Sequence, residues 1–156
     1  MIILYIYIES KDRDKPQKKF LTLFGNTQHQ NMETIIVQDT DSAVLDVLTH
    51  ILKDGGFQVY PLIHCEDNFL KIIEETRPHV VMLDYRLKGE KCLEVLRQIR
   101  SGYPHLPVIA TSCNTNINEL YNKAGFDDYI EKPFDIDILY TTLRKHIPQQ
   151  TETSPI

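Results

Sequence analysis

Long apolar runs, paired cysteines and surplus positive charge are all scarce in this 156-residue chain. Its apolar opening, Met1 to Ile8, falls far short of the roughly 20 residues that a membrane-spanning helix needs. The same stretch lacks the positively charged segment that precedes the apolar core of a secretory signal. Cys65, Cys92 and Cys113 are odd in number, far apart in the chain and contain no CxxC pair. Neither a zinc site nor a disulfide framework is therefore indicated, and the thiols read as core or near-surface residues in a reducing cytoplasm. The six histidines show no HExxH or comparable ligand spacing and read as structural or surface residues. A formal net charge of −5 argues against a face that tracks nucleic-acid phosphates, which needs clustered Lys and Arg.

What remains is the composition of an ordinary globular domain, with length for one core plus tails. Lys11 to Lys19 is a charged stretch containing Pro16 and reads as linker. Residues 1–31 are therefore expected to lie outside the fold, as an extension from an upstream start codon. The domain is expected over 32–148, with 149–156 as a polar tail.

From Met32 onward, apolar runs alternate with helical periodicity. The runs are Thr34–Val37, Phe57–Leu62, His79–Leu83, Leu106–Thr111 and Asp127–Ile130. Most are continuous, as expected of parallel strands covered on both faces. Val44, Val47, Leu48, Ile51 and Leu52 fit the buried face of a first helix, closed by Gly55-Gly56. Phe69, Ile72 and Ile73 mark a second, ended by Pro78, and Leu93, Leu96 and Ile99 a third, stopped by Ser101-Gly102 and Pro104. Ile117, Leu120, Tyr121 and Ala124 mark a fourth, ended by Gly125. Ile136, Leu139, Tyr140, Leu143 and Ile147 mark a fifth, before Pro148. Strict strand–helix alternation predicts an α/β fold: a five-stranded doubly wound parallel sheet with five helices on its two faces.

In such sheets ligands bind at the carboxyl ends of the strands. Asp39 follows the first predicted strand, Asp84 the third, Thr111 the fourth and Lys132 the fifth. The fold thus brings four polar side chains to one edge, although each alone could be a cap or loop residue. Two carboxylates can share a hard cation, and Mg²⁺ takes oxygen ligands while keeping several waters. Asp84 would then be a nucleophile for a phosphoryl group, Lys132 would neutralise its charge, and Thr111 would donate to a phosphoryl oxygen.

The segments Ile35-Ile36-Val37-Gln38-Asp39, Val80-Val81-Met82-Leu83-Asp84, Val108-Ile109-Ala110-Thr111 and Tyr129-Ile130-Glu131-Lys132-Pro133-Phe134 carry a specific resemblance. In order and spacing, with Ala124-Gly125-Phe126 before the last strand, they resemble the response regulator receiver domains of two-component systems, of the single-domain chemotaxis type. The resemblance covers Met32 to about Pro148. It implies a flavodoxin-like sheet of strand order 2-1-3-4-5. Asp84 would be the phosphoacceptor, with Mg²⁺ held by Asp39, Asp84 and the backbone carbonyl of Arg86. Thr111 would be the switch hydroxyl, Lys132 the phosphate-contacting lysine, Tyr129 the aromatic switch, and Lys132–Pro133 a cis peptide bond. The phosphoryl donor would be a phosphohistidine on a sensor histidine kinase or phosphotransfer protein. Output would run through a protein target on the face of helix 4, strand 5 and helix 5, without direct nucleic-acid or membrane contact. Such a domain is no enzyme beyond its own phosphorylation and dephosphorylation.

The sequence departs from the family pattern in places. Gln38 stands where a second acid is usual; it can accept a hydrogen bond from a metal-bound water but brings no charge, so weaker Mg²⁺ binding is expected. Asp41 is expected to cap the first helix rather than replace that acid. Lys88, Cys92 and Ser112 replace a common Pro, Gly and Ala, and Arg86 and Cys113 stand where phosphoryl lifetime is tuned. Two other readings stay open: a receiver-like interaction module that is never phosphorylated, and a metabolic enzyme on a similar sheet. The second expects an acid just after the nucleophile or a phosphate-cradling glycine loop, and Tyr85 and Arg86 supply neither.

Overall fold

The computed structural model describes residues 32–65, 68–86 and 90–148. The expected extension 1–31, the tail 149–156 and the loop position Lys88 lie outside the described residues. Ten elements alternate along the chain: β1 (Thr34–Gln38), α1 (Ser42–Asp54), β2 (Gln58–Leu62), α2 (Phe69–Thr76), β3 (Val80–Asp84), α3 (Glu90–Gly102), β4 (Val108–Ser112), α4 (Ile117–Ala124), β5 (Asp128–Glu131) and α5 (Ile136–His146). All four strand pairings are parallel, and the order across the sheet is β2-β1-β3-β4-β5. The chain runs outward from β1 to β2, then crosses back to β3, which makes the gap between β1 and β3 the topological switch point.

Every residue of β1, β3 and β4 is buried, which is why these runs read as unbroken apolar sequence. The edge strands differ. In β2, Val59 is buried while Gln58 and Pro61 are exposed, and Pro61 is tolerated because an edge strand needs no ladder donor on its open side. Two apolar layers cover the sheet. On one face α1 and α5 contribute Leu45, Leu48, Leu52, Leu139 and Leu143; on the other α2, α3 and α4 contribute Phe69, Ile73, Val95, Leu96, Ile99 and Ile117. Each such side chain, once buried, contributes about 1.5–3 kcal/mol relative to exposure.

Two helix faces differ from expectation. Val47 is 56% exposed and Leu45 takes its place in the core, so α1 buries positions 45, 48 and 52. Ile136 is also exposed, as is Ile138, at the start of α5. In both helices β-branched residues made the apolar stripe look wider than the sheet can cover. Helix α3 runs through Ser101-Gly102 rather than stopping before them, with Tyr103 still donating to the Ile99 carbonyl. Asp41 caps α1, its carboxylate accepting from the Ala43 and Val44 amides at 2.9 and 3.3 Å. Before Pro78, Arg77 leaves the helix in a left-handed conformation, and Gly125 ends α4 at φ +101, where a glycine carries no Cβ strain. Among the described residues no helix is long and apolar enough to cross a membrane.

Candidate functional site

The carboxyl ends of β1, β3, β4 and β5 meet at one edge. Asp84 closes β3 and pairs in register with Thr111 of β4, while Asp39 follows β1 with its amide donating to the Leu62 carbonyl at 3.1 Å. Lys132 follows β5, where its amide donates to the Ser112 carbonyl at 2.8 Å. Parallel register therefore delivers three side chains, separated widely in sequence, to one point.

At that point the Lys132 ammonium donates to both acids: Nζ lies 2.5 Å from Asp39 Oδ2 and 2.8 Å from Asp84 Oδ1. All three side chains are withdrawn from solvent, with 10% of Lys132, none of Asp39 and 4% of Asp84 exposed. Burial alone would lower the Lys132 pKa, but its hydrogen bonds to the two carboxylates outweigh it and hold the pKa above the ordinary lysine value. The lysine thus stays charged, and one buried cation faces two buried acids.

Asp84 has two further donors. Arg86 Nε lies 2.9 Å from Oδ2, and Thr40 Oγ1 lies 3.3 Å from the same oxygen. The Arg86 side chain is 62% exposed, so this second cation sits at the rim. Thr40 was absent from the residues expected at the site. Its only sequence signal is its place after Asp39, because a hydroxyl contact depends on a rotamer and on a partner 44 positions away.

The remaining expected residues fall around this centre. Thr111 is buried, its Oγ1 donating weakly to the Leu83 carbonyl at 3.4 Å. Ser112, also buried, donates to the Tyr85 carbonyl at 2.8 Å and accepts from the Asn114 amide at 3.1 Å. It thereby joins the segments that follow β3 and β4. Tyr85 is fixed further by its ring, edge-on to Phe126 at 5.4 Å, so the backbone leading to Arg86 has little freedom. Tyr129 is half-buried in β5, its ring against Tyr121 of α4 with centroids 5.0 Å apart and planes tilted by 39°. Lys132–Pro133 is cis. Gln38 is buried; Nε2 donates to the Ile63 carbonyl at 3.5 Å, while Oε1 is left without a hydrogen-bond partner.

A five-stranded parallel sheet of order 2-1-3-4-5, with acids at the carboxyl end of its switch point, is flavodoxin-like. The response regulator receiver domain profile matches residues 35–144. Solved structures agree. The receiver domain of NtrX from Brucella abortus is 31% identical with a TM-score of 0.64, covering 77% of this chain and 99% of that one. A response regulator from Thermotoga maritima is 28% identical with a TM-score of 0.64, covering 74% and 98%. The response regulator TrrA from Thermotoga maritima, solved with Mg²⁺ and BeF, has a TM-score of 0.65 at 23% identity, covering 74% and 100%. The chain belongs to the response regulator receiver domain family. Receiver domains are phosphoacceptor signalling domains of two-component systems that interact with histidine kinases or phosphotransfer proteins and with downstream targets.

The donor set fits the hard divalent cation typical of this family. Asp39 and Asp84 supply two buried carboxylates already close enough to share one ammonium. Mg²⁺ is commonly held by one or two carboxylates with the remaining positions filled by water and other oxygens. The orphaned Gln38 Oε1 is a buried acceptor that a donor such as a bound water would satisfy.

Proposed function

We propose that this domain receives a phosphoryl group on Asp84 from a phosphohistidine and uses the change to switch protein contacts. The observation that carries this reading is the bridge from Lys132 Nζ to both Asp39 and Asp84, which holds the nucleophile and a cation together out of bulk water. An oxygen of the Asp84 carboxylate attacks phosphorus, the phosphorus–nitrogen bond to the donor imidazole breaks, and an acyl phosphate forms. Lys132 moves from sharing the carboxylates to neutralising the transferred group. Asp39, Asp84 and the Arg86 carbonyl are the residues that would hold Mg²⁺, with Gln38 reaching it through water. Bound there, the ion would neutralise charge on the phosphoryl oxygens. Arg86 vacates Asp84 Oδ2 as the new group arrives, since its exposed side chain is easily rehydrated.

Thr111 is the switch in this reading. Its bond to the Leu83 carbonyl is long, so exchanging it for a phosphoryl oxygen costs little. Its inward movement frees room for Tyr129 to leave Tyr121, altering the face of α4, β5 and α5 where the downstream target docks. The domain would act in the cytoplasm as the receiver of a two-component phosphorelay.

The test is incubation with Mg²⁺ and acetyl phosphate followed by intact mass. The expected result is one added phosphoryl group, absent from Asp84→Ala. An unchanged mass would favour a receiver-like module that is never phosphorylated, and continuous turnover of a substrate would favour an enzyme.

A further inference from the structure

Asp84 presents its two carboxylate oxygens to different surroundings. Oδ1 lies 2.8 Å from Lys132 Nζ, on the inner side, where the other acceptor is the fully buried Asp39. Oδ2 lies on the outer side, with Arg86 Nε at 2.9 Å and Thr40 Oγ1 at 3.3 Å. Arg86 and Thr40 are both exposed, so Oδ2 is the oxygen open to approach from solvent once Arg86 yields.

The two groups on Oδ2 differ in how firmly they are held. Thr40 lies between two anchored residues. On one side the Asp39 amide donates to the Leu62 carbonyl at 3.1 Å. On the other the Asp41 amide donates to Asp39 Oδ1 at 3.0 Å, and the Asp41 carboxylate caps α1. The threonine side chain is short and β-branched, with few χ1 positions open to it. The Arg86 guanidinium instead hangs on a long, exposed stem that loses rotamer freedom whenever it pairs. One donor is preset and the other is exchangeable.

We propose that Thr40 is a positioning residue for phosphoryl transfer, its hydroxyl holding the Asp84 carboxylate so that Oδ2 is the oxygen that attacks. The role rests on the phosphoacceptor reading of Asp84. With Oδ1 on Lys132 and Oδ2 on Thr40, the carboxylate plane is fixed from both ends, and the fix survives the departure of Arg86. The 3.3 Å contact is longer than the roughly 2.5–3.0 Å of a full O–H···O bond, so it orients Oδ2 without tying up its electron pairs. In the step itself an electron pair of Oδ2 forms the new bond to phosphorus, and the bond from phosphorus to the leaving group breaks. With acetyl phosphate, acetate departs with that pair. Thr40 keeps its proton throughout, because the attacking carboxylate has none to give up.

The experiment follows the rate of labelling of the full chain by intact mass, with saturating Mg²⁺ and acetyl phosphate, in the parent protein, Thr40→Val and Thr40→Ser. Valine keeps the shape and removes the donor, whereas serine keeps the donor. Thr40→Val should slow labelling about tenfold, the scale of a misplaced reacting group, and Thr40→Ser should recover most of the rate. Thr40 is exposed and outside the helices and strands, so Tm should be the same in all three. The Mg²⁺ dissociation constant, by titration calorimetry, should also be unchanged, since the role is orientation of the nucleophile. Labelling of Thr40→Val at the parent rate would overturn the proposal. So would an equal loss in Thr40→Ser, which would make the side chain's shape the cause, or a loss of rate that tracks weakened Mg²⁺ binding. A parent protein that takes up no phosphoryl group would sink the phosphoacceptor reading and this role with it. A labelled parent beside an unaffected Thr40→Val removes the positioning role alone.

Discussion

At the amino edge of the sheet, Arg100 reaches from α3 to donate to the Leu106 carbonyl at 2.8 Å and the Gly125 carbonyl at 2.9 and 3.0 Å. It also pairs with Asp127 at 2.6 Å, and the same carboxylate oxygen accepts from the Val108 amide at 2.7 Å. At the carboxyl edge, Lys132 bridges Asp39 and Asp84. Both edges seat a cation among acceptors, but the balance differs. The guanidinium has a fixed fork of donors matched by carbonyls and one acid, so charge and geometry are both satisfied. The ammonium is a single charge between two buried acids, and the second cation, Arg86, is held only at the rim. One edge is a joint. The other sets two buried acids around one buried cation, with the second cation at the rim, an arrangement that an exchangeable cation or a phosphoryl group can rearrange.

The strongest way to break this comparison is to remove each cation. Lys132→Met should slow acetyl phosphate labelling at least about a hundredfold, in line with removal of a single transition-state donor. It should also lower stability by about 3 kcal/mol, because two buried acids lose their partner. Arg100→Met should cost about 1–3 kcal/mol through orphaned acceptors, yet leave labelling within about twofold. Equal labelling losses in the two variants, measured by intact mass beside denaturant unfolding, would erase the distinction.

Next in size is the charge deficit at Gln38. Gln38→Asp should tighten Mg²⁺ binding about tenfold, measured by titration calorimetry, because a third carboxylate joins the carboxyl edge. An unchanged dissociation constant would mean that the buried amide already does the acid's work. A smaller effect is expected from Arg86→Ala. Removing an exposed competing cation should tighten Mg²⁺ by about two- to fivefold, the scale of a surface ion pair.

The smallest effect concerns Asp128, which accepts from Lys145 Nζ at 2.8 Å and lies 2.9 Å from His146 Nε2. Partial burial would raise its pKa, but the hydrogen bonds from Lys145 and His146 outweigh it and hold the pKa below the ordinary aspartate value. Its contribution to stability is therefore present above the unfolded pKa near 3.8 and is lost as pH falls through the lower folded value. The Tm gap between the parent protein and Asp128→Asn should shrink between about pH 6 and about pH 3. Lys145 is exposed and His146 still faces the same carboxylate, so Lys145→Ala should lower Tm by less than Asp128→Asn does at neutral pH.

How far each residue could be read depends on what its neighbours are. Asp84 and Thr111 were visible because each is the polar residue that ends an apolar run of sequence, and a parallel sheet aligns such ends. Val47 and Ile136 misled because side-chain hydrophobicity does not say which arc of a helix the sheet covers. Thr40 on Asp84 and Ser112 on the Tyr85 carbonyl were hidden for another reason. Each depends on a rotamer and on a partner brought close only by packing.

By itself, the sequence determined the alternation of strand and helix, the buried runs and the residue types at their carboxyl ends. These follow from local periodicity and from the exclusion of polar groups from a covered sheet. Only the tertiary structure decided that Lys132 touches both acids and that Arg86 sits on Asp84 at the rim. Distances between side chains on different elements are set by register and packing across the whole domain, and no local stretch of sequence carries them.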